Sequence, residues 1–335
     1  MTSNVALQGE EIMSTADVIN AASEHNSSLR DSRLRRAGLV IPTYNAERLW
    51  GNLQAALDAQ GVDAAQILIV DSSSTDRTRE LARCAGYSVF QIGKKEFGHG
   101  RTRKIAAEQL PWAEILVFMT QDAVPCESDC LKTLLCGFDD PGVGAIYGRQ
   151  IPRMQAGPIE RHARLFNYQP FSYMRDYASR QEFGFKTIFF SNSFAAYRHS
   201  AFDEVGGFST EAIVSEEVAV VAQMLMAGWK IGYCAEACVE HSHNLSLGQE
   251  FRRFFDIAVE HEREGWLLDV FGTAGNQGRK FVFSQLKYLQ KHDRALIPYA
   301  LLRNAGKLLA YKLGINHRRL PMWLKQHLSA QLAHR

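Results

Sequence analysis

The sequence predicts an α/β fold: a mainly parallel sheet with helices on both faces, followed by a helical, basic C-terminal region. Three observations predict it. Short runs such as Leu39–Ile41, the ILIV that ends at Val70 and the stretch Glu114–Met119 are almost continuously apolar. Strands of that kind are covered on both faces, as parallel strands are. Between them lie stretches with helical spacing, and that alternation is the pattern of a doubly covered sheet. Beyond about Leu247 the chain turns helical, aromatic and basic, and residues 276–335 hold twelve Lys or Arg against one acid, Asp293.

Taken in order, residues 1–36 lack clear periodicity and read as a mobile tail ending in RDSRLRRAG. Leu39-Val40-Ile41 is a strand stopped by Pro42. Leu49, Leu53, Ala56 and Leu57 then recur at helical spacing until Gly61. ILIVDSSSTD is a strand entering a Ser-rich turn, and a helix from about Asp76 to Cys84 comes next. A strand at Tyr87–Ile92, a helix around Thr102–Gln109 and the strand Glu114–Met119 complete the first half. In the second half Val143–Gly148, Phe194–Tyr197, Lys230–Tyr233 and Ala237–Glu240 read as strands. A helix from about Glu216 to Ala227 carries Val218, Val221, Leu225 and Met226 on one face and ends at Gly228. The organisation expected is a tail over 1–36, an α/β domain over 37–245 and a helical region over 246–335.

Composition narrows the function classes. With 335 residues, 46% apolar and 22% charged, the chain is an ordinary folded protein with room for a large core. The net charge of +2 averages a basic end against a mildly acidic remainder. Six cysteines show no CxxC pair and no zinc-finger spacing, so buried thiols in a reducing compartment are expected. No signal sequence is recognisable, and no run approaches the roughly 18 to 20 apolar residues of a membrane span. A cytoplasmic protein is expected.

Dinucleotide and P-loop motifs are missing. GxGxxG does not follow the first strand, and Gly93–Gly100 lacks the Lys-Ser/Thr ending of a P-loop. The strands run instead into Pro42-Thr43-Tyr44-Asn45, then Val70-Asp71-Ser72-Ser73-Ser74-Thr75-Asp76, then His99-Gly100-x-x-Arg103. Asp71 could simply cap the next helix, and His99 with Arg103, four apart, could be a solvated pair. At successive strand ends, where ligands of such sheets sit, they form one polar crevice able to grip a base and phosphates. Asp122, in MTQDAVP, falls at a further strand end.

The ordered set PTYN, VDSSSTD, HGxxR, a strand-end acid, then GGF before an acidic pair and AGWKI resembles the inverting glycosyltransferases of family 2. The resemblance covers roughly Gly38 to Asn244. Within that family TQDAVP, GRQIPR, FFSNSFAAYRHSAFDEVGGF, HSHN, EFRRFFD and the ending YKLG…LPxWLKxxLS are similar to bacterial rhamnosyltransferases that use dTDP-rhamnose. The resemblance implies the GT-A fold and donor contacts at Pro42, Tyr44, Asn45, Asp71, His99, Arg103 and Gln121, with Asp71 reading the base. Family members usually carry Asp-x-Asp where this chain has Thr120-Gln121-Asp122, so only the last acid of that motif is present. The implied cofactor is Mg²⁺ or Mn²⁺ on Asp122, with His241 or its neighbour His243 completing the site.

The family also carries Glu-Asp where this chain has Glu216-Glu217, with the second acid as base. Glu217 is therefore the implied catalytic base, one methylene longer, with Glu216 the alternative. Helix starts favour acids in any case. The expected activity is transfer of rhamnose onto a lipid-linked or polysaccharide acceptor in surface glycan synthesis. The rivals are another nucleotide-sugar donor on the same fold and a catalytically inactive assembly partner. In the tail, Leu301, Leu302, Leu308, Leu309 and Leu313 alternate with Arg303, Lys307 and Lys312. An amphipathic surface of this kind predicts peripheral docking on an anionic membrane at the inner face of the cell membrane rather than binding to nucleic acid.

Overall fold

In the computed structural model the chain is described over residues 31–242, 244–273 and 277–331. One nine-stranded sheet organises it, in the order β3-β2-β1-β4-β8-β6-β9-β5, with β7 pairing β9 off this path. The first four are β1 (Ala37–Thr43), β2 (Ile67–Asp71), β3 (Ser88–Gln91) and β4 (Ile115–Met119). They are mutually parallel: Thr43 lies beside Asp71, and Val40 beside Phe118.

The continuous apolar runs have a direct structural reason. Leu39 and Ile41 of β1, Ile67 and Ile69 of β2, and Val117 and Met119 of β4 enter one buried cluster. Val40, Leu68, Val70, Leu116 and Phe118 enter another on the opposite face. Successive side chains of a strand point to opposite faces, so a sheet packed on both sides needs apolar residues at every position. Helix α1 (Glu47–Ala59) covers one face with Trp50, Leu53 and Leu57. Helix α3 (His99–Glu108) covers the other with Ala106 and Ala107. Between them in sequence is α2 (Thr78–Cys84).

The second half completes the sheet with mixed directions. β8 (Phe194–Arg198) runs antiparallel between β4 and β6 (Val143–Ile151). The two segments expected as strands at 230–233 and 237–240 are one strand, β9 (Lys230–Glu240). Its register against β6 jumps between Gly148 and Arg149, which bends it. Short strands β5 (Val124–Pro125) and β7 (Tyr173–Arg175) pair with its two ends. Helices α4 (Cys130–Leu135), α5 (Pro158–Asn167) and α6 (Glu216–Met226) pack around it.

Two boundaries differ from expectation. Residues 31–35 are helical, Leu34 is buried, and its carbonyl accepts from Gln66 Nε2 at 2.7 Å. The ordered chain therefore begins before residue 37. The C-terminal helices are α7 (Leu247–Arg263), α8 (Gly265–Phe271), α9 (Gln277–His292), α10 (Ile297–Ile315) and α11 (Met322–Leu328). They pack against the α/β body. Phe255, Val259 and Ala310 form a cluster with Ile213, which precedes α6. Leu289 and Ala300 do the same with Ile159 of α5. A Cβ on Gly314 would lie 2.5 Å from the Phe255 carbonyl, so α10 reaches α7 only because that residue is glycine.

The alternation expected in the tail also resolves differently. Arg303 and Lys307 turn inward to Glu250, at 2.7 and 2.9 Å, and Leu313 joins the buried cluster around Phe255. Leu301, Leu302, Leu308 and Leu309 are left exposed on the outer face. Opposite charge on α7 draws the cations away from the apolar stripe, which no spacing within α10 reveals.

Candidate active site

Four strand ends open onto one crevice. The loops after β1 and β2 are laced together by side chains. Asn45, with φ of 49°, accepts at Oδ1 from the Thr75 amide at 2.9 Å, and its own amide donates to Ser74 Oγ at 2.8 Å. Asp71 is wholly buried. Its carboxylate accepts from the Thr43 hydroxyl at 3.3 Å, the Ser74 amide at 3.0 Å and the Ser74 hydroxyl, and Arg79 Nε lies 3.6 Å away. Asp71 is thus the internal brace of this turn. Pro42 sits beside Val70 in the parallel pair beneath it.

Gln121 explains part of the unusual TQD sequence. Its Oε1 accepts from the Tyr44 amide at 2.8 Å and its Nε2 donates to the Tyr44 carbonyl at 3.2 Å. One side-chain amide therefore bridges the ends of β1 and β4 with both a donor and an acceptor. A carboxylate has no donor for the second bond. Tyr44 is exposed, with Lys94 Nζ 3.3 Å from its hydroxyl. The Thr120 hydroxyl is buried beside it with no partner among the described residues.

Asp122 is delivered to His241 by strand pairing: Val124 lies opposite Glu240, so the residues just beyond each meet. His241 Nε2 is 3.4 Å from Asp122 Oδ1. Gln150 sets the imidazole. Its Nε2 donates to Ser191 Oγ at 2.8 Å and its Oε1 accepts from Arg164 Nη1 at 2.7 Å, so the oxygen faces His241 Nδ1 at 2.9 Å. Nδ1 therefore carries the proton. Burial lowers the His241 pKa despite the opposing pull of Asp122. A neutral ring then turns its Nε2 lone pair toward a carboxylate oxygen, and a divalent cation fits between two such donors. His243 lies outside the described residues. Among the described residues no group of three or more His, Cys, Asp or Glu side chains is arranged to hold a metal, so phosphate oxygens and water would have to complete the coordination.

Across the crevice, α6 presents the two adjacent acids. A Cβ on Gly100 would stand 2.1 Å from the Ser209 carbonyl, so the start of α3 meets the loop before α6 only with glycine there. That contact brings Arg103 Nη1 to Glu216 Oε1 at 2.8 Å and to the His99 carbonyl at 3.2 Å. Asn192 Nδ2 also donates to Glu216 Oε1, at 2.9 Å, and Asn192 accepts from the Tyr197 hydroxyl at 2.6 Å. Burial pushes the Glu216 pKa up, but Arg103, His99 and Asn192 together hold it below its ordinary value. Burial also lowers the pKa of His99, whose Nε2 is 3.4 Å from Gln331 Nε2. Glu217 makes no ion pair among the described residues. Burial, then the charge of Glu216, raise its pKa to about 8.

The two acids are therefore different: one an ionised brace, the other a carboxyl poised to exchange a proton near neutrality. A proton acceptor faces a crevice with the cation-fitting pair Asp122 and His241 and an exposed aromatic, Tyr44. The family model described as glycosyl transferase family 2 matches residues 39–206. The O-antigen chain rhamnosyltransferase RfbN of Salmonella typhimurium is 43% identical over 285 residues, spanning 85% of this chain and 91% of that protein. The chain belongs to glycosyltransferase family 2. A second relative of this family 2 enzyme, the O-antigen chain rhamnosyltransferase WbaN of Salmonella anatum, is 42% identical over 85% of the chain and 90% of its own length. A mannosyltransferase of Pyrobaculum calidifontis, solved with GDP-mannose and Mn²⁺, shares the fold at 18% identity. Its TM-score is 0.53, with 95% of this chain and 94% of that one covered.

In this family 2 glycosyltransferase two further residues hold the machinery. Gln150 orients His241, and Asn192 anchors Glu216. Both lie in stretches, GRQIPR and FFSNSF, whose resemblance is visible in the sequence. Their roles are not, because each depends on a partner 24 or 91 residues away.

Proposed function

We propose that this glycosyltransferase moves rhamnose from dTDP-rhamnose, with inversion, onto a lipid-linked saccharide in O-antigen assembly. The observation that carries the mechanism is the division between Glu216 and Glu217. The rhamnosyltransferase relatives support the choice of sugar. In the reaction the acceptor oxygen attacks the anomeric carbon as the bond from that carbon to the phosphate oxygen breaks. Glu217 takes the hydroxyl proton, and the nucleoside diphosphate leaves with the electron pair. Glu216 remains ionised on Arg103, which keeps Glu217 basic. A Mg²⁺ or Mn²⁺ ion between Asp122 and His241 would offset charge on the departing diphosphate. Tyr44 offers its ring to the donor base, and Asp71 shapes that pocket by holding the turns of Asn45 and Ser74. His99 and Arg103 line its far side.

The same reading places the enzyme against the inner face of the cell membrane, where a lipid-linked acceptor resides. Leu302, Leu308 and Leu309 are 53 to 58% exposed on one side of α10, and Trp323 of α11 is 63% exposed. Lys312, Arg318 and Arg319 are exposed nearby in sequence. Apolar side chains with basic neighbours suit an anionic lipid surface. Among the described residues no helix is long and apolar enough to cross a membrane.

The test is binding and turnover across a panel of nucleotide sugars with Mg²⁺ present. The proposal expects dTDP-rhamnose to be turned over in preference to UDP-galactofuranose, UDP-GlcNAc and other dTDP-deoxysugars. Preference for another sugar would replace the donor while leaving the transferase chemistry in place.

A further inference from the structure

Most charged side chains buried in this protein have an evident counter-charge. Arg103 pairs with Glu216 and Arg303 with Glu250. Arg175 and Arg198, the exceptions, are spent on backbone carbonyls: Arg198 donates to those of Val143, Phe138 and Asp140. Three arginines near the Asp122–His241 pair follow neither pattern. Arg153 Nη2 donates to the backbone carbonyl of Asp122, Arg164 Nη1 donates to Gln150, and Arg253 makes no hydrogen bond among the described residues. None of the three is in an ion pair there. The Arg164 Nε is buried with no partner among those residues.

Their positions converge. Arg153 and Arg164 both reach the Asp122–Gln150–His241 group, from the end of β6 and from α5. Arg253, on α7, is close enough for its charge to act on Arg164, His99 and Glu217. It therefore stands between the cation-fitting pair and the base. Burial and then this neighbouring charge press the Arg164 pKa below its ordinary value, while Tyr168, Glu160 and Asp122 act the other way. Cations crowded like this, without a carboxylate on them, are costly unless an anion joins them.

We propose that Arg153, Arg164 and Arg253 form a diphosphate-binding site that bridges the Asp122–His241 pair and Glu217. A diphosphate is the ligand chemistry that fits, because it carries several charges over two adjacent centres and each guanidinium can meet it with two parallel hydrogen bonds. The proposal rests on the nucleotide-sugar reading for its setting. Two diphosphates occur in that reading, one on the donor and one on a lipid-linked acceptor, and both share this chemistry. It also accounts for GRQIPR and EFRRFFD, whose arginines otherwise have no task.

Calorimetry with EDTA present isolates the arginines from any metal. The probes are inorganic pyrophosphate, dTDP, thymidine and farnesyl diphosphate, titrated into the full chain. Arg253→Gln, at an exposed position, should weaken pyrophosphate binding about tenfold or more. Arg253→Lys should recover part of it, and thymidine binding should not move. A parallel loss for dTDP assigns the site to the donor. A loss confined to farnesyl diphosphate assigns it to the acceptor lipid. Arg164→Gln is buried, so circular dichroism must show it folded before its titration is read. Wild-type affinity for both diphosphates in folded Arg253→Gln and Arg153→Gln would overturn the proposal, as would a wild type that binds no diphosphate. Unchanged dTDP binding in the variants sinks this site but leaves the donor reading intact. Pyrophosphate binding without any dTDP binding does the reverse.

Discussion

Replacing Glu217 with Gln separates activity from stability in a way that a structural acid would not. The folded pKa of about 8, against an ordinary carboxyl value of 4.5, has two consequences. As a base, Glu217 must be ionised. The acceptor kcat/KM of the wild type should then rise about tenfold per pH unit up to about pH 8, reaching about 10% of its plateau at pH 7 and about 1% at pH 6. For stability the sign is opposite. Between pH 4.5 and about 8 the folded chain holds a proton that the unfolded chain has lost. Stability from this group is therefore present below the unfolded pKa and declines as pH rises toward about 8, by on the order of 1 kcal/mol per pH unit. Glu217→Gln, always neutral, should lose about 100-fold or more in turnover and keep donor affinity, while its Tm at pH 8 exceeds that of the wild type. Glu216→Gln removes the second cause of the shift and should move the activity limb to lower pH. The assays are a pH profile of initial rates and thermal melts at matched pH. A flat wild-type profile from pH 6 to 9, or a Glu217→Gln variant with most of its activity, would refute the assignment.

Other outcomes rest on the same geometry. Asp122→Asn should lower turnover by about 100- to 1000-fold, and a chelator should silence the wild type, as measured by nucleoside diphosphate release. Gln121→Glu loses the donor to the Tyr44 carbonyl and should cost about 1 kcal/mol in a denaturant melt, together with weaker donor binding. Leu302→Asp with Leu309→Asp should release the protein from phosphatidylglycerol vesicles in a flotation assay while sparing transfer to a small water-soluble acceptor. Raising ionic strength should weaken wild-type vesicle binding in part and leave an apolar remainder.

The parallel half of the sheet was legible because every residue of β1, β2 and β4 faces a packed layer, which leaves no ambiguity of period. Asp122 and the acidic pair were legible as acids at a strand end and a helix start. The sequence could not reveal which acid of the pair is free. That depends on Arg103, which is 113 positions from Glu216 yet 2.8 Å from it in space. The tautomer of His241 likewise depends on Gln150, whose own orientation depends on Ser191 and Arg164. In α10, periodicity located the leucines correctly but misplaced Arg303 and Lys307, because Glu250 on another helix decides where those charges go. The continuity of β9 was hidden by its register jump, since the bend interrupts the pattern that marks a strand.

The central claim is that Glu217 deprotonates the acceptor for a single displacement at the anomeric carbon. Its most direct test is the anomeric configuration of the product, read by proton NMR from wild-type turnover of dTDP-rhamnose with Mg²⁺ and a saccharide acceptor. Single displacement predicts a configuration opposite to that of the donor, with no product from Glu217→Gln. Product with the donor's configuration would mean two displacements through a covalent intermediate, and Glu217 would then not be the base described here.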